Sequence, residues 1–117
     1  MTLPLTVETL EACYEYLRTT PPFSKWKMPP GHEVKFTVGR ARDCFAYYQW
    51  DGNRHTITVS ENSVAHTITL INAMAHECIH LHQFRQGLNT SNTEHNADWH
   101  ARATKVCRLH GWDRKTF

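Results

Sequence analysis

The chain has no CxxC pair, no apolar run long enough to span a bilayer, no internal repeat and no low-complexity tract. Each absence removes a class of protein. The four cysteines, Cys13, Cys44, Cys78 and Cys107, stand far apart, which excludes a zinc ribbon and fits reduced thiols used as small buried hydrophobes. Without about 18 consecutive apolar residues no transmembrane helix is expected, and a membrane is not an expected partner. The first residues, "MTLPLTVETLEACYEYL", lack a basic n-region and meet acidic residues early. A cleaved secretion signal is therefore not expected, and the reading is an intracellular, cytoplasmic protein. Charge is also scarce in one sense, since the net value of +2 is too small to mark a polyanion partner. A pI near 8.4 leaves such a partner open. What remains is an ordinary globular balance of 40% hydrophobic and 21% charged residues over 117 positions, which predicts one domain spanning 1–117.

Histidine is the residue in excess, at nine copies. Around it the chain reads as a series of short elements. Val7, Leu10, Tyr14 and Leu17 recur at helical spacing behind Thr6, a candidate N-cap, and predict a first helix over 6–18. Four of the five prolines fall in "TTPPFSKWKMPPGHE", which predicts a loop over 19–33. Three strands follow, "VKFTV" at 34–38, "CFAYYQW" at 44–50 and "HTITVS" at 55–60, with Asp51-Gly52-Asn53 as a hairpin signal between the last two. An antiparallel meander is the simplest sheet they make. Ile68, Ile71, Ala75, Cys78 and Ile79 then mark a long helix up to Gly87. Ser91 and Glu94 form a capping-box pattern before a last helix carrying Trp99, Ala103, Val106 and Leu109 and stopping at Gly111. The expected class is α+β: an N-terminal helix, a small three-stranded antiparallel sheet and two further helices.

The long helix contains "MAHECIHLH", in which His76-Glu77-Cys78-Ile79-His80 is HExxH. On a helix His76 and His80 lie about 40° apart and one turn along, so both imidazoles reach one ion. Glu77 falls about 100° from His76, beside the metal rather than on it, where a carboxylate can take a proton from bound water. A catalytic zinc needs a third protein ligand and an open fourth position. Gln83 and Gln86 stand where the extended HExxHxxGxxH pattern requires glycine and histidine, which excludes that site type. His82, about 200° around the helix from His80, reads as a polar surface or rim residue. His95 is the best placed candidate, with Asp98 and His100 as substitutes. A closed structural zinc would need a fourth protein ligand, and neither Cys78 nor Cys107 is placed to be one.

The motif "HECIH", the fifteen-residue step from His80 to His95, and "HNADW" with Trp99 four positions after His95 resemble the SprT-like (Spartan-type) zinc metallopeptidases. The likeness follows the element order over most of the chain and is strong over residues 65–112, including "HNADWHARATKVCRLHGWD". It implies a zincin-like fold, one Zn2+ held by His76, His80 and His95, and Glu77 as the catalytic acid/base. Where the family has His-Gly-x-x-Phe, this chain has Asn96 and Trp99. The resemblance also implies a protein or peptide substrate, with DNA-crosslinked proteins, and so DNA, as candidates. Imidazole ligands suit cobalt, nickel and copper as well as zinc.

Strand "HTITVS", with Ile57, Val59 and Ser60, is the expected edge for substrate strand addition. His66, Tyr47 and Tyr48 are candidates for stabilising an oxyanion. Two other readings stand beside the peptidase: a metal site without catalysis, and a nucleic-acid-binding module. The second rests on the mixed basic and aromatic stretches holding Lys25, Trp26, Lys27, Arg40 and Arg42. In it Trp26 stacks bases; its plainer role is to anchor the proline-rich loop.

Overall fold

Thr6 opens the first helix, α1 (Val7–Arg18), by accepting the Thr9 amide proton on its hydroxyl at 3.1 Å. The computed structural model describes residues 5–40, 42, 44–62, 67–87 and 95–117, and only the backbone of Thr67 and Thr116. Leu10, Tyr14 and Leu17 form the buried face of α1, while Val7 stays largely exposed at its start. The proline-rich stretch is a loop, as expected, with two single 3-10 turns at Phe23–Lys25 and Gly31–Glu33. Two bonds pin it to α1. The Tyr14 hydroxyl donates to the Pro29 carbonyl at 2.7 Å, and the Gly31 amide donates to Glu15 Oε1 at 2.5 Å. A Cβ at Gly31 would come within 2.7 Å of that same oxygen and displace the carboxylate that holds the loop. Tyr14→Phe leaves a buried carbonyl without its donor, so unfolding in urea is expected to show a loss of about 1–3 kcal/mol at unchanged m-value.

The three strands are β1 (Val34–Gly39), β2 (Ala46–Trp50) and β3 (His55–Ser60). β2 and β3 form the expected antiparallel hairpin, with Ala46 opposite Val59 and Trp50 opposite His55. Asp51 Oδ1 accepts the Asn53 and Arg54 amides in its turn, and Gly52 takes the left-handed φ of 91°. The meander, however, is incorrect. The order is β1-β3-β2, and β1 runs parallel to β3 with Val34 opposite His55 and Gly39 opposite Ser60. Burial explains the difference. β3 is buried over its last four residues on both faces, whereas β2 buries only Tyr48 fully, so the strand covered on both sides takes the middle. Edge positions fall to the two strands with exposed faces.

α2 (Thr67–Arg85) is the axle of the fold. Leu70, Ala73, Met74, Ala75, Cys78, Ile79 and Leu81 are buried, and so are Glu77, His80, His82 and Gln83, so residues 77–83 are enclosed around the whole circumference. Ile68, expected among the apolar contacts, is instead 53% exposed on the first turn. The helix ends before Gly87, whose φ of 69° is left-handed, as the sequence suggests. α3 (Ala97–His110) packs Trp99, Ala103 and Val106 inward and stops at Gly111, with φ of 76°. Its cap is Asn96, whose side chain accepts the Trp99 amide at 2.9 Å. The helix therefore does not open on the Ser91–Glu94 pattern, and both of those residues lie outside the described ones. One apolar cluster joins α1, the sheet, α2 and α3. No helix among the described residues is long and apolar enough to cross a membrane.

Candidate metal centre

His76 and His80 project from one side of α2, and His95 arrives from the residue just before the Asn96 cap of α3. One ring nitrogen from each lies within 4.8 Å of the other two. His76 Nε2 and His95 Nε2 are 3.0 Å apart, close to the roughly 3.3 Å separation of nitrogens around a tetrahedral zinc. His80 is 2% exposed, and both its ring nitrogens are buried without a hydrogen-bond partner. A buried imidazole with two orphaned nitrogens is costly unless something electropositive completes it. The triad is thus a fitting cradle for a cation. The substitutes are engaged elsewhere. Asp98 accepts from Gln83 Nε2 and Arg102 Nε at 2.8 Å each, and the His100 ring lies 2.6 Å from Arg114 Nη2.

Electrostatics suit the same use. Burial, then the charges of His80 and His95, hold His76 down to about 3. Burial, then His95, holds His80 at about 4. His95 is lowered by burial and by His100 and Arg114. All three rings are neutral at pH 7, the form that ligates metals. Glu77 is 4% exposed, and burial pushes its carboxyl up to about 8. These shifts have opposite signs for stability. Between about pH 4.5 and 6.5 the unfolded metal-free chain binds protons at His76, His80 and His82, the last also held at about 4 by burial, that the folded chain refuses, while folded Glu77 keeps one proton that the unfolded chain releases. The net effect is a loss of about 2.7 kcal/mol per pH unit on acidification in that window. From about 6.5 to 8 only the Glu77 difference remains, and stability falls as pH rises. Thermal unfolding of metal-free protein across pH 4.5–8 is expected to peak near 6.5, and a monotonic profile would contradict it.

A cleft of about 710 Å3 opens beside the triad, and His76, Glu77 and His95 are in its wall. Phe45, Ile68, Ala73 and Phe117 make much of the rest apolar. Much of what surrounds the triad was not apparent from sequence. Trp99 is buried behind the three rings, its centroid 4.3 Å from His95, 4.5 Å from His76 and 5.7 Å from His80. Gln83, fully buried, donates to Asn96 Oδ1 at 3.2 Å and to Asp98, tying α2 to the start of α3 and so fixing where His95 stands. A glutamine within an otherwise enclosed helix was the available signal. Asn72, one turn before His76, lines the cleft, and its Oδ1 is buried without a partner. Phe117 packs its ring 5.7 Å from His76, a contact no spacing rule announces.

Other sequence-based expectations need correction. Ile57, Val59 and Ser60 are buried in the central strand, paired on both sides, so β3 has no edge for a substrate strand. His82 is not a surface residue: it is 5% exposed and stacked on Trp26, with ring centroids 4.5 Å apart and planes 11° from parallel. Tyr48 turns its hydroxyl to His55 Nδ1 at 2.6 Å and does not line the cleft, whereas Tyr47 does. His66 lies outside the described residues. Trp26 packs edge-on against Phe23 and anchors the proline-rich loop. Lys25, Trp26 and Lys27 share a hollow with Arg85 and Arg102, while Arg40 pairs with Glu61 at 3.0 Å and Arg42 is exposed, neither of them part of that hollow. Cys78 and Cys107 are buried free thiols, but Cys13 and Cys44 are only partly buried, and Cys44 borders the cleft.

No curated protein matches the chain. The SprT-like family does, over residues 10–115, from the first turn of α1 through the turn after α3. With three histidines gathered around one point and the match covering nearly every element, the chain belongs to the SprT-like family.

Proposed function

We propose that the chain is a zinc-dependent metalloendopeptidase acting as one domain over 1–117, with His76, His80 and His95 as the metal ligands and Glu77 as the general base. The observation that carries this reading is the gathering of three neutral imidazoles beside one open cleft, with His76, His95 and the buried carboxyl of Glu77 in its wall. Three protein ligands leave a coordination position for water, whereas a structural zinc is usually closed by four. Bound zinc supplies a Lewis acid that polarises a carbonyl and brings a water's pKa toward neutrality. Glu77 does the proton work: its carboxylate takes a proton from the attacking water and returns it to the leaving amine. The low-dielectric setting that raises its pKa favours holding that proton, and a neighbouring cation brings the value back toward the working pH.

The cleft supports a peptide substrate. Phe45 O accepts the Ser60 amide at 2.8 Å, so the alternation of the ladder directs the Ala46 N–H and C=O away from β3, on the cleft side. An extended substrate backbone can pair there, on β2, while apolar side chains meet Phe45, Ile68 and Phe117. The family resemblance extends the reading to proteins crosslinked to DNA, in an intracellular setting where the four thiols remain reduced. The test combines metal content with cleavage of an unstructured protein substrate. About one zinc per chain and chelator-sensitive hydrolysis are expected. Protein that binds no metal after zinc is supplied would end the proposal.

A further inference from the structure

The proline-rich loop, the end of α2 and α3 enclose a second hollow of about 480 Å3, which shares no residue with the cleft at the histidines. Lys25, Lys27, Arg85 and Arg102 line it, and no carboxylate does. The packing beneath gathers these cations deliberately. Trp26 stacks on His82 and carries the Arg102 guanidinium 5.5 Å from its centroid. Arg85 Nη1 donates to the Lys27 carbonyl at 2.6 Å and holds Lys27 in the left-handed region, at φ of 56°. A lysine in that conformation is kept only where its surroundings require it. Arg102 is neutralised by Asp98 at 2.8 Å, but Lys25, Lys27 and Arg85 have no ion pair among the described residues. Like charges gathered in a concave wall raise the local potential and draw anions to it. The indole serves as a scaffold for these donors, so recognition falls to their N–H groups.

We propose that this hollow is an oxyanion site for phosphate groups, filled either by a free phosphate ester or by neighbouring phosphodiesters of a nucleic-acid strand. It stands apart from the metal and from Glu77, so its failure and the failure of the peptidase reading are separately visible. The test uses the full chain, inorganic phosphate followed by calorimetry, and a labelled thymidine oligonucleotide followed by anisotropy at several salt concentrations. Three unpaired cations predict a slope of log affinity against log salt of about −2 for the single strand. Lys25→Ala/Lys27→Ala is expected to weaken binding by about tenfold or more and to flatten the slope by about 1.4. Arg40→Ala/Arg42→Ala removes the same charge elsewhere and is expected to change affinity less than twofold. Phosphate binding that the first pair of substitutions abolishes, without strand binding, assigns a free phosphate ester. Strand binding lost with the same pair assigns a nucleic-acid backbone. Equal losses in both double variants would mean diffuse charge attraction and overturn the site, as would no binding of either probe at low salt.

Discussion

Glu77→Gln is expected to lower kcat/KM for a cleavable protein by about 100- to 10,000-fold, the range of a lost general base, while metal content stays at the wild-type level. The substitution keeps the volume and hydrogen-bonding capacity of the side chain and removes only its proton transfer. It also removes a titration. Because burial raises the Glu77 carboxyl to about 8, ionising it in the fold is unfavourable, and a neutral amide escapes that cost. Above pH 8 the metal-free Gln variant is therefore expected to unfold at a temperature equal to or higher than the wild type. A variant that loses both metal and stability would place Glu77 among the ligands. One that cleaves at the wild-type rate would remove it from the chemistry altogether.

His95→Ala is expected to act on the other half of the site. Zinc bound by four protein ligands releases about 10–16 kcal/mol, so one imidazole accounts for about 3 kcal/mol, or a 100- to 1,000-fold weakening of affinity. Metal recovered per chain after dialysis should fall sharply. With zinc at about 100 times the wild-type Kd, linkage stabilises the protein by about 2.7 kcal/mol. For a domain of this size the wild type should then melt about 10 °C above the variant, and chelator should erase the difference. His100→Ala supplies the contrast, since that ring is engaged by Arg114 and should leave metal content unchanged. Equal metal in wild type and His95→Ala would exclude His95 as a ligand.

The gathering of His76, His80 and His95 was legible because HExxH has a meaning set by helix geometry, and because the step to His95 leads into a helix that folds back. Element types were legible for similar reasons: α1, the β2–β3 hairpin and the stops at Gly87 and Gly111 are decided by local residues. Strand order was not. The turn at Asp51-Gly52-Asn53 announces one pairing, but nothing local tells β1 to pass β2 and lie parallel against β3. That choice belongs to burial on two faces, which a period-2 pattern of Ile57 and Val59 understates when the threonines between them are also covered. The same misordering puts the expected substrate edge on β3, whereas β2 holds the free edge beside the cleft. His82 and Gln83 misled in the same manner: a polar side chain on a helix suggests water, and here both are enclosed by the proline-rich loop and the start of α3.

Enclosure of α2 has a consequence for how the centre is assembled. His76 and His80 ride on the segment with the most covered surroundings, so its amides are expected to be among the slowest to exchange with deuterium. Two of the three proposed ligands are thus set in place by folding itself, before any ion arrives. His95, the exposed member, stands outside both helices, held through the Asn96 cap and its bond to Gln83. The entropic cost of completing the site falls mainly on that single ring, and its freedom, more than that of the buried pair, governs how quickly a bound ion is exchanged with solvent.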